Sequence, residues 1–342
     1  MKIKNLLYSL LVLSLSFTAC TDKKDDTPVN PNEQPSENPG DNTEQNPEEQ
    51  PKDDVIIDAA DFVGEYYGDA FTQKSGSYTL ILTDNGFLQG GGMMANSKYY
   101  MLDVYADFYT GERGGCVSMP EGTYTLDATI SMANGTICKE YSYYMTTDDY
   151  EINKQIKFES AELIISSDTA TLTAVVEGVK HIVTFNGQPT IVDKRAEDRE
   201  FDANNAWVYF YGDHDSKGVA DNYYLYFSDL DTEYGLLPKV TYYRLDLFSE
   251  IVDKSNGLAI PYGTYIVDES NSRKPYTVTV ESSDFVRLNK SGDAAEHGMV
   301  SGGKVIVDEN GITAELHIMG GVHTVTYSGY IPISDFSGSY FE

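Results

Sequence analysis

From Val55 onward, apolar and polar residues alternate in short runs broken by Gly, Asn and Asp. Alternation at period two places one side of an extended strand in a core and the other side outside it. Toward the C-terminus, Ile312, Ala314, Leu316 and Ile318 alternate with polar residues. Beyond Gly320-Gly321, the same face continues through His323, Val325 and Tyr327. No stretch sustains the 3.6-residue period of an amphipathic helix. The pattern predicts an all-β fold of antiparallel strands, arranged as a sandwich or an up-and-down barrel.

The runs also repeat. Tyr66-Tyr67-Gly68-Asp69 returns as Phe210-Tyr211-Gly212-Asp213. The segment Ser77 to Asp84 returns as Asn222 to Asp229, and Tyr99-Tyr100-Met101-Leu102-Asp103 as Tyr242-Tyr243-Arg244-Leu245-Asp246. Pro120-Glu121-Gly122-Thr123-Tyr124 matches Pro261-Tyr262-Gly263-Thr264-Tyr265. Gly178, His181, Val183, Thr184 and Gly187 fall on Gly320, His323, Val325, Thr326 and Gly329. Anchors in one order, offset by 141 to 145 residues, define two tandem copies of one domain. Copy one is assigned to 58–193 and copy two to 203–342, with a charged linker at 194–202.

Residues 1–19 read as a signal peptide. Lys2 and Lys4 precede an apolar run from Leu6 to Leu15 that is too short to span a bilayer. It leads into Ser16-Phe17-Thr18-Ala19-Cys20, which resembles the lipobox of bacterial lipoproteins, with Phe17 where an aliphatic residue is usual. Lys24-Asp25-Asp26 is similar to the export signal that carries lipoproteins of the Bacteroidota to the outer face of the outer membrane. The resemblance implies acylation of Cys20, attachment to the membrane through that lipid alone, and display outside the cell. Residues 20–57 follow as a disordered stalk. Between 21 and 54 there are six Pro and eleven acids but no aromatic residue, too little apolar surface to offset the entropy of ordering.

Composition narrows the function. Lys and Arg number 24 against 54 Asp and Glu, a net charge of -30 that repels phosphate backbones and excludes nucleic acid as a partner. Tyr accounts for 27 residues, against 14 Phe and one Trp. Tyr suits a half-buried strand, and its ring and hydroxyl also suit a sugar. Five His and three Cys leave little for a metal site, and neither a metal nor a cofactor is predicted.

The residues with catalytic chemistry read as structural. His181 and His323 occupy one repeated position on the core side of the last strand, where one hydrogen bond would cap them. Asp103 and Asp246 are likewise equivalent and read as satisfying a turn or a backbone N–H; a glycosidase would need a second carboxylate fixed by the repeat. Asp213-His214-Asp215-Ser216-Lys217-Gly218 faintly resembles a calcium loop, yet Lys217 and Tyr224 stand where oxygen ligands belong. Gly90-Gly91-Gly92 lacks the Lys-Ser/Thr of a phosphate loop.

With Cys20 acylated, Cys116 and Cys138 are the remaining thiols, and an oxidising compartment predicts a disulfide between them. Apolar side chains recur in one connection of both copies: Phe87, Met93 and Met94, then Tyr234 and Leu236. They fit either a plug over the end of the core or the mouth of a ligand site. The expected function is a non-catalytic surface lipoprotein that binds a glycan or other nutrient for a neighbouring outer-membrane transporter. The alternative is a structural or adhesive surface protein with a protein or host-surface partner. Cys20→Ser should move the protein out of the membrane fraction or leave it as an uncleaved precursor, read by fractionation and immunoblotting. Unchanged processing and retention would exclude the anchor.

Overall fold

The computed structural model describes residues 53–230 and 236–338. Cys20, Lys24, Asp25, Asp26 and Tyr234 lie outside them. Copy one contains β1 (Val55–Asp58), β2 (Asp61–Gly68), β3 (Gly76–Thr83), β4 (Lys98–Ala106), β5 (Cys116–Val117), β6 (Gly122–Asp127) and β7 (Thr136–Cys138). It continues with β8 (Tyr143–Asp148), β9 (Glu151–Lys157), β10 (Ser160–Ile165), β11 (Thr169–Val176), β12 (Val179–Asn186) and β13 (Thr190–Asp193). Copy two contains β14 (Arg199–Asp202), β15 (Asn205–Gly212), β16 (Asp221–Ser228), β17 (Thr241–Ser249), β18 (Gly263–Asp268) and β19 (Thr277–Thr279). It ends with β20 (Asp284–Leu288), β21 (Ala294–Asp308), β22 (Gly311–Ile318), β23 (Gly321–Tyr327) and β24 (Ile333–Asp335).

The fold is all-β, and each copy forms its own sheet. Copy one is ordered β1-β12-β11-β10-β6-β7-β4-β3-β2-β13-β5, with β8 and β9 branching from β4. Copy two is ordered β14-β23-β22-β21-β18-β19-β17-β16-β15-β24, with β20 pairing β17 and β21. Each sheet folds over, sandwich-like, so that residues from its far ends meet in one core. Phe62, Leu80, Leu102, Leu163, Leu172 and Val183 share the core of copy one. Val208, Leu225, Leu245, Val305, Leu316 and Val325 share that of copy two.

The sheets are mixed rather than purely antiparallel. In copy one β1 runs parallel to β12, β13 to β2, and β6 to β7. Copy two repeats all three as β14 with β23, β15 with β24, and β18 with β19. Alternation records which side of a strand is buried and carries no sign of its direction. The opening strands also begin earlier than expected, β1 within the stalk segment and β14 within the linker. Both are short and mostly exposed, so their alternation is weak.

The duplicated motifs have duplicated reasons. In Pro-x-Gly-Thr-Tyr, the Tyr hydroxyl donates back to the Pro carbonyl, from Tyr124 to Pro120 at 2.7 Å and from Tyr265 to Pro261 at 2.8 Å. His181 Nδ1 pairs with the Tyr100 hydroxyl at 2.6 Å, and His323 Nδ1 with that of Tyr243 at 2.9 Å. Each imidazole also meets an aromatic edge, Tyr144 or Phe285, at 5.2 Å. Both histidines cap the core through one hydrogen bond.

The Cys116–Cys138 disulfide is not formed. Cys138 is buried as a thiol at the end of β7. Cys116 stands on the exposed side of β5, whereas Cys138 is buried.

The copies dock through contacts that are not duplicated. The Arg195 guanidinium forks onto Asp193 at 2.7 and 3.0 Å and lies over the rings of Tyr66 and Tyr109. The next residue, Ala196, donates its N–H to the Met319 carbonyl of copy two at 2.8 Å. His317 of copy two hydrogen-bonds Asp69 of copy one, and Glu269 accepts from Thr72. Gly320 adopts φ +78°, and a Cβ there would stand 2.4 Å from the Tyr67 carbonyl oxygen.

Burial pushes the His181 pKa below its ordinary value and that of His323 down to about 4. A depressed folded-state pKa gives stability that is complete above pH 6.5, where the unfolded imidazole is neutral. It erodes as pH falls, because the unfolded chain takes up the proton first, and is gone below about 4. Urea unfolding of copy two between pH 7 and 4 should therefore be less pH-dependent in His323→Asn than in the wild type. An equally steep variant profile would show that His323 is not the group responsible.

Candidate functional site

Residues directly opposite on neighbouring strands share a face. In copy two this places Trp207, Tyr226, Arg244 and Asp284 in one row across β15, β16, β17 and β20, on the side away from the core. At about 4.8 Å per strand the row spans ~14 Å. A second row holds Tyr209, Tyr224 and Asp246. The corresponding rows of copy one are Val63, Ile81, Met101 and Tyr143, then Glu65, Thr79 and Asp103.

The exchange turns a mixed aliphatic and polar face into a largely aromatic one. Trp207 stacks on Tyr226 with centroids 4.8 Å apart and planes at 11°. Tyr226 meets the edges of Tyr224 and Tyr209 at 5.1 and 5.6 Å. Phe336, just past β24, extends the set onto Tyr209 at 5.5 Å and Tyr211 at 6.0 Å. Trp207 is 5% exposed and its Nε1–H has no hydrogen-bond partner. Tyr209, Tyr211, Tyr224 and Tyr226 are half-buried, so their rings remain part of the surface.

Beside the rings lies a fixed charged group. Arg244 forks onto both oxygens of Asp284, with Nε–Oδ1 at 2.7 Å, and His297 Nε2 is 3.0 Å from Oδ2. Burial alone would raise the Asp284 pKa; the hydrogen bonds from His297 and Arg244, with the Arg244 charge, outweigh it and hold the pKa below 3.8. The same hydrogen bond with Asp284 raises the Arg244 pKa. The pair stays ionised across the physiological range.

Asp246, in the second row, is held by Asn222 Nδ2 and Thr279 Oγ1, each at 2.6 Å, and its N–H donates to Ser283 Oγ at 3.0 Å. Asp103 makes the equivalent N–H bond to Ser142 Oγ at 2.9 Å. Among the described residues, no group of three or more His, Cys, Asp or Glu is placed to hold a metal ion. In the loop faintly like a calcium site, Asp213 accepts the Gly218 N–H at 2.9 Å and closes a turn.

The connection singled out in the sequence behaves as a cover in copy one. Phe87 and Met93 pair with each other and pack on Ile81, Tyr99, Met101 and Met145, over the outer face of the sheet. The Met94 N–H donates to the Tyr99 hydroxyl at 2.6 Å. In copy two the Leu237 N–H donates to the equivalent Tyr242 hydroxyl at 2.7 Å, beside an exposed Leu236. The tyrosine hydroxyl thus receives a backbone N–H from this connection in both copies.

Trp207, Tyr209, Tyr226, Arg244, Asp284 and Phe336 belong to no motif that marks them as a site in the sequence. The signal lies in the repeat when read at period two. Tyr78-Thr79-Leu80-Ile81 becomes Tyr223-Tyr224-Leu225-Tyr226, so the core side is kept and the outer side becomes Tyr. The chain matches no family model, no curated protein and no solved structure.

If the row is a coupled unit, Arg244→Met should destabilise copy two by about 3 kcal/mol, because it leaves the Asp284 charge without its guanidinium. The double variant Arg244→Met/Asp284→Tyr installs the copy-one pair and should recover most of that loss in urea unfolding. A single variant as stable as the double would show the two positions to be independent.

Proposed function

We propose that this protein is a non-catalytic lipoprotein, displayed on the outer face of the outer membrane, that binds a soluble glycan for uptake by a neighbouring transporter. The observation that carries the reading is the aromatic outer face of copy two, with Arg244 and Asp284 set beside it. A pyranose has an apolar C–H face that packs on an aromatic ring and an equatorial rim of hydroxyls. Tyr209 and Tyr226 supply such rings, while the guanidinium and carboxylate supply charged donors and acceptors that bond hydroxyls strongly. The lipobox-like Ser16 to Cys20 and Lys24-Asp25-Asp26 supply the address, and the acidic, Pro-rich segment supplies reach.

Binding without turnover suits this face, because Arg244, Asp284 and His297 satisfy one another and so hold fixed positions. A neutral oligosaccharide array probed with the purified chain should return at least one ligand. Tyr209→Ala and Tyr226→Ala should each weaken that ligand at least tenfold, about 1.4 kcal/mol, with little change in copy one's unfolding. Val63→Ala, at the copy-one position equivalent to Trp207, should leave affinity unchanged. An array without a neutral glycan ligand, or one whose affinity ignores both Tyr substitutions, would reject the reading.

A further inference from the structure

A second concavity lies between the copies, with a volume of about 840 Å³. That size falls in the range of small-molecule sites, which gather where two domains meet. Its walls come from both copies and differ in character. Copy one contributes Phe71, Ile130 and Met132, whereas copy two brings Asp268, Glu269 and Glu281.

Two loops at equivalent places in the repeat build this contrast. After β6, the Asp127 carboxylate accepts the N–H groups of Thr129 and Ser131, both at 2.8 Å. After β18, Asp268 accepts those of Ser270 at 2.9 Å and Ser272 at 2.8 Å. Both loops then place two residues in the left-handed region, Ile130 and Met132 at φ 56° and 53°, Asn271 and Arg273 at 51° and 53°. Asn adopts that conformation readily; a β-branched Ile is a true outlier there. Copy one therefore holds a strained backbone whose result is a branched apolar side chain at the cleft. Ile130 and Met132 rest on Tyr105, Cys138 and Tyr141, which holds their side chains in place at the cleft wall.

The facing wall sets three carboxylates among the apolar Val280, Met299, Val300 and Met319. Hydrogen bonds from Ser270 and Ser272 outweigh the effect of partial burial and hold Asp268 ionised, with its pKa lowered to about 2. Glu269 has Lys74 at 3.6 Å, and Glu281 bonds Arg273 at 2.8 Å, so the three carboxylates outnumber their two cations. The net charge of -30 adds a long-range field of the same sign. Met132, Met299 and Met319 give the cleft an adaptable lining.

We propose that this cleft is a second ligand site, separate from the aromatic face, for an amphipathic cation. Its apolar or aromatic body rests on Ile130 and Met132, and its ammonium faces Glu269 and Glu281. An anion of the same shape meets carboxylates and is refused. The proposal does not depend on the glycan reading, because Ile130, Met132, Glu269 and Glu281 lie outside the aromatic face; His297, which bonds Asp284, also lines the cleft.

The test compares two probes of one shape, 2-(1-naphthyl)ethylamine and 1-naphthylacetate, titrated against the full chain and followed by naphthyl fluorescence anisotropy. The amine should bind saturably at one site per chain, and the carboxylate at least tenfold more weakly. Ile130→Asn, which installs the copy-two residue and suits the φ, should weaken the amine at least fivefold without lowering the melting temperature. Glu269→Gln should narrow the gap between amine and carboxylate. Equal binding of the two probes, no saturable binding of the amine, or amine affinity indifferent to Ile130→Asn would each overturn the proposal. Oligosaccharide binding at Tyr226 should be the same in both variants, so failure of one site is distinguishable from failure of the other.

Discussion

Each strand must give one side to a core shared by its whole sheet, and the rest of the molecule is organised around that demand. A buried Leu contributes roughly 1.5–3 kcal/mol, and its truncation costs about 2–5 kcal/mol once the cavity is counted. Leu80 and Leu225, or Leu102 and Leu245, accordingly persist in both copies at full burial. The Tyr–His pairs belong to the same face and persist for a related reason. A buried imidazole needs a partner, and a buried phenol needs one too, so each satisfies the other. The opposite face keeps Tyr99 with Tyr242 and Asp103 with Asp246, and the copies part at the positions around them.

This division explains what could be read from the chain. The duplication, the all-β class and the core role of His181 and His323 follow from residues on the constrained face. Strand direction is invisible to alternation, so the parallel pairings of β1, β13 and β6 could not be foreseen. Cys116 and Cys138 looked like partners because they were the remaining thiols. Their strands are separated by β4, β3, β2 and β13, an arrangement that only the sheet order reveals. Cys138 instead takes the place that Thr279 holds in copy two and packs with Tyr105 and Tyr141.

The junction shows how a tandem repeat acquires a fixed arrangement from contacts that only one of its copies makes. Gly178 and Gly320 occupy the same turn, at φ +71° and +78°, and both need the left-handed conformation. Gly178 has open space where a Cβ would go, whereas Gly320 lies against the backbone of copy one. The same residue type therefore serves a local turn in one copy and a domain contact in the other. Arg195, His317 and Glu269 act on the same boundary from three different segments, which restricts how the copies can rotate and keeps the cleft walls facing one another.

The outer-face differences come as compensated sets. In copy one, Glu65 is buried beside Lys194, with Nζ 3.5 Å from its carboxylate. At the same two positions copy two has Tyr209 and Phe336, 5.5 Å apart. Met101 opposite Tyr143 likewise becomes Arg244 opposite Asp284. Changing one member of such a pair leaves either a buried charge or a ring against a carboxylate, each destabilising by more than the finished pair contributes. Loss of function at a redundant copy would not by itself produce matched replacements that keep both faces packed. The exchanges also converge on one property: Trp207, Tyr209, Tyr224, Tyr226 and Phe336 are all aromatic, where copy one has Val, Glu, Thr, Ile and Lys. Sheet stability asks for complementarity between neighbours and is indifferent to which chemistry provides it. The face has moved as a unit toward aromatic rings, beside a fixed ion pair.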